Sequence, residues 1–289
     1  MSKTLKFSET YDILEANNLP ELSHLLAKVY KKNPFENGTQ ARYMWKEQCS
    51  LNIPILYLAS ILLNSYMKKY NYTKCVFTAR DCCLWYKIYS AMYPNADVVY
   101  FRCSRNMFKV GTVYDRPEYK KYVKDTFTND AIYIDIHGTG AHMIDYFKSN
   151  SIKIPPCFFL SMGTNTYSEL DEKCYEHYKK GKLYTIVFDA HGSPIEMLNY
   201  DLCGTLEDYK SSGPQFAKME YSYETVEPYH QCVKYFISKV DKINSVISKK
   251  KATDIIRYLF KNISEIDQKP VISSKVEHLK KHPHPLFEN

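Results

Sequence analysis

The run Asp135-Ile136-His137-Gly138-Thr139-Gly140 puts a carboxylate, an imidazole and a hydroxyl around two glycines. It follows an apolar run that reads as a buried strand and precedes a helical one. Such a turn presents backbone N–H groups and a helix N-terminus to an anion, phosphate above all. Asp135 could hold Mg²⁺ or a sugar hydroxyl, and Thr139 could donate to a phosphate oxygen. His137 is placed for general acid or base work. The plainer reading is a tight strand-to-helix turn made by Gly138 and Gly140, with Thr139 or Gly138 as its cap.

Two basic segments precede this turn. Arg80-Asp81 and Ser104-Arg105 each follow a short apolar run, and the two arginines could make charge-assisted contacts to a phosphate. Arg80-Asp81 could equally be an internal ion pair, with Asp81 capping the helix that starts at Cys82; Ser104-Arg105 could be a surface turn. Cys82-Cys83 reads as a buried pair of small residues rather than a nucleophile. His137 and His142 flank the glycine turn, but no further ligands at metal-binding spacing accompany them.

These residues need a scaffold, and its periodicity is visible. Cys75–Thr78, Val98–Phe101, Ala131–Ile136, Cys157–Ser161 and Leu183–Phe188 are continuous apolar runs, as expected for strands buried on both faces. Helical patterns separate them, over Cys82–Tyr93, Glu118–Asp125, Ala141–Lys148 and Tyr167–Lys179. That alternation indicates a parallel sheet, whose ligands bind beyond the carboxyl ends of the strands. All five ends are polar. They carry Arg80-Asp81, Ser104-Arg105, the glycine turn, Ser161 to Asn165 and Asp189 to Ser193. Four of the nine glycines, Gly138, Gly140, Gly163 and Gly192, fall at these ends, where backbone must come close to a ligand.

Around this core, Tyr11–Tyr30 and Ala41–Tyr70 read as helices, with Pro54 a kink or boundary in the second. Val226–Val240 and Ile255–Ile263 read as closing helices. The expected organisation is an N-terminal helical part over residues 1–70 and an α/β phosphate-binding core over 71–265. A basic, flexible tail follows over 266–289. The fold class is therefore α/β: a doubly wound, mainly parallel five-stranded sheet with an N-terminal helical cap and C-terminal helices.

The 289 residues are 45% hydrophobic and 25% charged, which excludes a disordered or collagenous chain. Nine cysteines without a recurring spacing exclude a disulfide framework and point to a reducing compartment, so a cytoplasmic location is expected. The polar first ten residues show no secretory signal, and Leu51–Leu63 is too short to span a bilayer. The net charge of +7 is mild and concentrated near the C-terminus, without the basic-aromatic stripe of a nucleic-acid binder.

Two families resemble parts of this pattern. Asp135 with Thr139-Gly140 is similar to the loop of phosphoribosyltransferases that cradles the ribose and 5′-phosphate of phosphoribosyl pyrophosphate. Arg80-Asp81-Cys82 resembles that family's pyrophosphate-contacting turn, and Arg105 falls where it often has a basic residue. Asp135-Ile136-His137-Gly138-Thr139 is also similar to the first motif of haloacid-dehalogenase-type phosphatases, with His137 in place of the second Asp and Ser161 at the second motif. That resemblance implies an aspartyl-phosphate on Asp135, with His137 as acid or base. Together Arg80-Asp81, Ser104-Arg105 and the glycine turn also resemble an uncharacterised domain of polysaccharide gene clusters and large DNA viruses, which for a viral protein implies the host cytoplasm.

The expected function is an enzyme acting on a phosphorylated sugar or nucleotide, by Mg²⁺-dependent phosphoribosyl or glycosyl transfer. Asp135, His137, Arg80 and Asp81 carry the chemistry. Gly138, Thr139, Gly140, Ser104, Arg105 and Ser161 bind the ligand, and Asp135 holds the metal. The alternatives are a phosphohydrolase using Asp135, and a non-catalytic module that keeps phosphate binding alone. The expected partner is a small phosphorylated molecule, not a membrane or a nucleic acid, and a homodimer is left open.

Overall fold

The computed structural model describes residues 5–111, 115–162, 172–188, 193–219, 221–243 and 245–263. The N-terminal helices are α1 (Phe7–Ala16), α2 (Pro20–Lys31), α3 (Gln40–Glu47) and α4 (Ile53–Tyr70). The sheet region runs β1 (Lys74–Thr78), α5 (Cys83–Met92), β2 (Asp97–Phe101), α6 (Pro117–Thr126), β3 (Ala131–His137), α7 (Ala141–Ser149), β4 (Cys157–Met162), α8 (Glu172–Lys179) and β5 (Leu183–Phe188). The chain continues through α9 (Ser193–Met197), the hairpin β6 (Leu206–Lys210) and β7 (Gly213–Phe216), and the closing helices α10 (Tyr223–Ile237) and α11 (Lys249–Ile263).

The five expected strands form one parallel sheet in the order β2-β1-β3-β4-β5. Their side chains alternate between two apolar clusters, which is why the runs are apolar without a break. Phe77, Ile132, Ile134, Ile136, Phe158 and Leu160 face the larger cluster, with α1 to α5, α10 and α11. Val76, Phe101, Tyr133, Cys157 and Phe159 face the smaller one, with α6 and α7. Helices therefore cover both faces, and the sheet is doubly wound as expected.

One sequence expectation shifts, one is described only in part, and one element is new. Tyr11–Tyr30 is two helices, because Asn18 takes a positive φ of 61° and Pro20 opens α2. The expected helix over Tyr167–Lys179 is described only from Glu172, and the Gly163 to Asn165, Asp189 to Gly192 and tail segments lie outside the described residues. The β6–β7 hairpin was not legible: its tight turn is Ser211-Ser212, without the Asn-Gly or Asp-Gly signal, and Pro214 interrupts the second strand. The run Gln40–Tyr70 is long and apolar enough to cross a membrane, but 83% of its most apolar window is buried inside the protein.

Pro54 acts inside that run. Lacking an N–H, it leaves the carbonyl of Ser50 without its ordinary helical donor. The chain answers with a π-helical turn over Gln48–Asn52 and with the buried Thr10 hydroxyl of α1, which donates to Ser50 O at 2.7 Å. One side chain thus joins the first helix to the bend in the core helix. Thr10→Val keeps the shape and removes the donor. It should lower unfolding free energy by about 1–2 kcal/mol, the cost of a buried acceptor left short of a partner. Urea denaturation measures this, and an unchanged midpoint would contradict the role.

Candidate functional site

In the order β2-β1-β3-β4-β5 the direction of winding reverses between β1 and β3, and the crevice beyond their carboxyl ends is where an open sheet binds ligands. The loop after β1 carries Arg80 and Asp81, and β3 carries Asp135 and runs into the glycine turn. The sheet therefore brings together the two segments singled out in the sequence.

Asp135 is partly buried and well held. Its Oδ1 accepts from the Ile136 amide at 2.8 Å, and its Oδ2 accepts from the Tyr133 hydroxyl at 3.2 Å. Burial first, and the neighbouring negative charge of Asp81 second, push its carboxyl up to about 7, against hydrogen bonds from Thr78, Tyr133 and the Ile136 amide. The charge of Asp81 thus acts on an enclosed carboxyl at the same end of the sheet.

The glycine turn lies over this carboxyl. A Cβ placed on Gly138 would stand 3.7 Å from Asp135 Oδ2. Gly140 has a φ of 73°, is the N-cap of α7, and a Cβ there would come within 3.2 Å of the Phe159 ring. A side chain at Gly140 would both strain the backbone and press on the core. Thr139 Oγ1 accepts from the Ala141 amide at 3.3 Å, which leaves its hydroxyl proton available as a donor. His137 Nδ1 and Ser161 Oγ lie 2.8 Å apart, and Ser161 donates to Ile136 O at 3.3 Å. The third and fourth strand ends are thereby joined.

Asp81 does not form the expected helix cap. The N-cap of α5 is Cys82, not Asp81, and the Arg80 guanidinium lies over the rings of Tyr200 and Tyr221 at 5.0 and 5.7 Å. Those two rings stack on each other at 5.5 Å. Cys82 and Cys83 are buried, and burial pushes both thiols up, so neither is a ready thiolate. Ser104 is structural: its hydroxyl donates to Leu206 O at 2.7 Å and accepts from the Met107 amide. Arg105 is exposed in the same turn, whereas Arg102 reaches inward.

Asp201 is the residue the sequence reading missed. It accepts from Arg102 Nη1 at 2.8 Å, Tyr100 OH at 3.0 Å, Cys83 Sγ at 3.2 Å, Cys203 Sγ at 3.3 Å and the Leu202 amide at 2.8 Å. Burial alone would raise its carboxyl, but these donors outweigh it and hold the carboxyl at about 2. The flanking chain is fastened as well. His230 Nε2 donates to Tyr200 O at 2.7 Å, and the Tyr221 hydroxyl donates to Asp201 O at 3.0 Å. Asn199 exchanges hydrogen bonds with Asn52 beside the π-helical turn, at 2.9 and 3.0 Å. Segment 199–203 is thus pinned beside β1 and β2, and it carries the ring against which Arg80 rests.

Among the described residues no group of three or more His, Cys, Asp or Glu side chains is arranged to hold a metal ion. A Mg²⁺ ion here would have Asp135 and Asp81 as its protein ligands, which suits a cation that usually takes one or two carboxylates with the substrate's phosphates. No family model and no curated protein sequence matches the chain.

The Asp135 shift fixes a pH dependence. Its folded pKa of about 7 lies above the unfolded 3.8, so its contribution to stability is complete below pH 4 and is lost as pH rises through 7. Asp135→Asn removes that slope. Between pH 5 and pH 8 the variant should gain about 2–3 kcal/mol on the wild type, at ~1.4 kcal/mol per pH unit. Paired urea titrations at both pH values test this, and parallel stabilities would contradict it.

Proposed function

We propose that the protein is an enzyme acting on a phosphorylated sugar or nucleotide, by phosphoribosyl- or glycosyl-type transfer. One observation carries the reading: the Asp135 carboxyl lies beneath the Gly138–Gly140 turn at the sheet's reversal point, with Asp81 and Arg80 in the adjoining loop. The turn and the first amides of α7 receive a phosphate. Thr139 donates to one of its oxygens. Asp135 binds a sugar hydroxyl or, with Asp81, the cation.

When bound, Mg²⁺ would neutralise charge on the leaving phosphates. Arg80 does the same work from the protein side. Its guanidinium rests on Tyr200, so little reorganisation is needed as negative charge develops on the leaving group. Such transfer needs no covalent nucleophile, in keeping with a carboxyl at Asp135 that is half protonated near neutral pH.

A second reading, phosphohydrolysis through an aspartyl-phosphate on Asp135, is favoured by the His137–Ser161 contact, which joins the two strand ends that chemistry uses. The two readings separate in solution. A phosphohydrolase is trapped by beryllium fluoride and releases phosphate from aryl phosphates. A transferase does neither, and releases pyrophosphate only with an acceptor present.

The direct test is thermal stability against phosphoribosyl pyrophosphate, nucleoside mono- to triphosphates and sugar phosphates, each with and without Mg²⁺. A ligand at 100 times its Kd stabilises the folded state by about 2.7 kcal/mol. A Mg²⁺-dependent shift with one ligand class, lost in Asp135→Asn, is the expected result. Stabilisation without metal dependence or turnover would assign a binding module instead, and no shift with any ligand would overturn the reading.

A further inference from the structure

A parallel sheet has two unlike ends. The candidate site takes the carboxyl end, and every strand is entered at the other. The segments entering β1, β4 and β5 (68–74, 148–156 and 176–182) hold eight lysines and one carboxylate, Glu176, so this end is positive. All of these lysines but Lys74 are exposed. Asp97 and Asp130 stand at the entries of β2 and β3, so the excess of positive charge falls on the β4–β5 side.

Packing gathers these lysines. Lys148, Lys180 and Lys182 come from two entry segments and act on the same enclosed His177. Burial first, and then these charges, hold its imidazole below the ordinary value, against its hydrogen bond with Pro155 O. Lys249, which opens α11, adds to them: its Nζ lies 4.7 Å from the centre of the Tyr184 ring. Tyr66 joins that ring to Tyr70 at the end of α4, at 5.4 and 4.7 Å, beside Lys68 and Lys69. Lysines in the last turn of a helix complement its dipole. Lys74, Lys153, Lys182 and Lys249 lie outside any such turn, so helix capping does not account for the gathering. Exposed apolar side chains accompany the charge. Tyr70 and Tyr178 are 43% and 40% exposed, and Val246, three residues before Lys249, is 87% exposed.

We propose that the amino end of the sheet docks on an anionic membrane surface, with its lysines facing lipid phosphates and Tyr70, Tyr178 and Val246 meeting the headgroup layer. Tyrosine and lysine are residue types that settle at a bilayer surface, with the apolar part inward and the polar tip in water. A nucleic acid is the poorer fit. Lysine meets phosphate as a point charge, without the planar fork of arginine. The Tyr70 and Tyr184 rings carry Lys69 and Lys249, rather than an open face on which a base could stack. Docking of this kind needs no spanning helix, and it leaves the carboxyl ends of the strands facing away from the membrane. No local run marks the surface in the sequence, because its lysines are spread from Lys68 to Lys249.

The probe is a phosphatidylcholine vesicle with about 30% phosphatidylserine, compared with phosphatidylcholine alone. Binding of the full chain is read by co-flotation. The anionic vesicle should bind at least about tenfold more tightly, and release the chain as NaCl rises from about 50 to about 500 mM. Lys69→Glu/Lys182→Glu/Lys249→Glu should weaken binding more than about thirtyfold. Lys121→Glu/Lys210→Glu/Lys218→Glu, which changes the net charge equally outside these segments, should weaken it less than about fivefold. Circular dichroism confirms that each variant is folded, and Lys182→Glu alone should weaken binding about fivefold. Equal binding to the two vesicles, binding to neither, or equal weakening by the two triple variants would overturn the proposal. Binding of a single-stranded oligonucleotide with none to the vesicles would assign a nucleic-acid surface and overturn it as well.

Discussion

Five parallel strands must be covered on both faces, because neither face can meet water without exposing an apolar surface. The molecule is arranged around that requirement. One face takes α6 and α7; the other takes the N-terminal helices, α5 and the two closing helices in one continuous cluster. The strand order β2-β1-β3-β4-β5 that results puts a reversal between β1 and β3. The crevice at that reversal is where Asp81, Asp135 and the glycine turn meet. The position of the candidate site follows from this strand order.

Two aspartates show how local surroundings then divide the work. Asp201 and Asp135 both lose water. Asp201 gains five donors, one of them a guanidinium, and its carboxyl stays ionised down to about 2. Asp135 has neutral donors and a second carboxyl nearby, and its carboxyl rises to about 7. The first is a fastening that holds segment 199–203 beside the strand ends. The second is a group ready to change charge. The Arg102–Asp201 pair is partly buried, and its hydrogen bond joins the segment to the end of β2.

Much of this was legible in the sequence. Unbroken apolar runs located all five strands, since burial on both faces leaves no polar alternation to blur them. Glycines at strand ends marked the turn after β3, where Gly138 and Gly140 both take positive φ. What was hidden depends on long-range contacts. Asp201 is one acidic residue in a stretch without clear periodicity, and two of its partners, Tyr100 and Arg102, lie about a hundred residues away in β2 and its following turn. Nothing local marks Tyr200 and Tyr221 as the support for Arg80. Ser104, which stood out beside Arg105, serves to hold β6 rather than to face a ligand. Glu47 sits among polar residues in α3, and only the packing of α10 against that helix shows that its carboxyl is enclosed.

The central claim is that Asp135 lies beside Asp81 at the reversal of the sheet, and that burial and the Asp81 charge together raise its carboxyl. It is tested most directly by ¹³C NMR titration of the Asp135 carboxyl in wild type and in Asp81→Asn. The account predicts a midpoint near 7 in the wild type, falling in Asp81→Asn as the neighbouring charge is removed, with burial holding it above the ordinary carboxylate range. A wild-type midpoint near 4, or one that Asp81→Asn leaves unmoved, would contradict it.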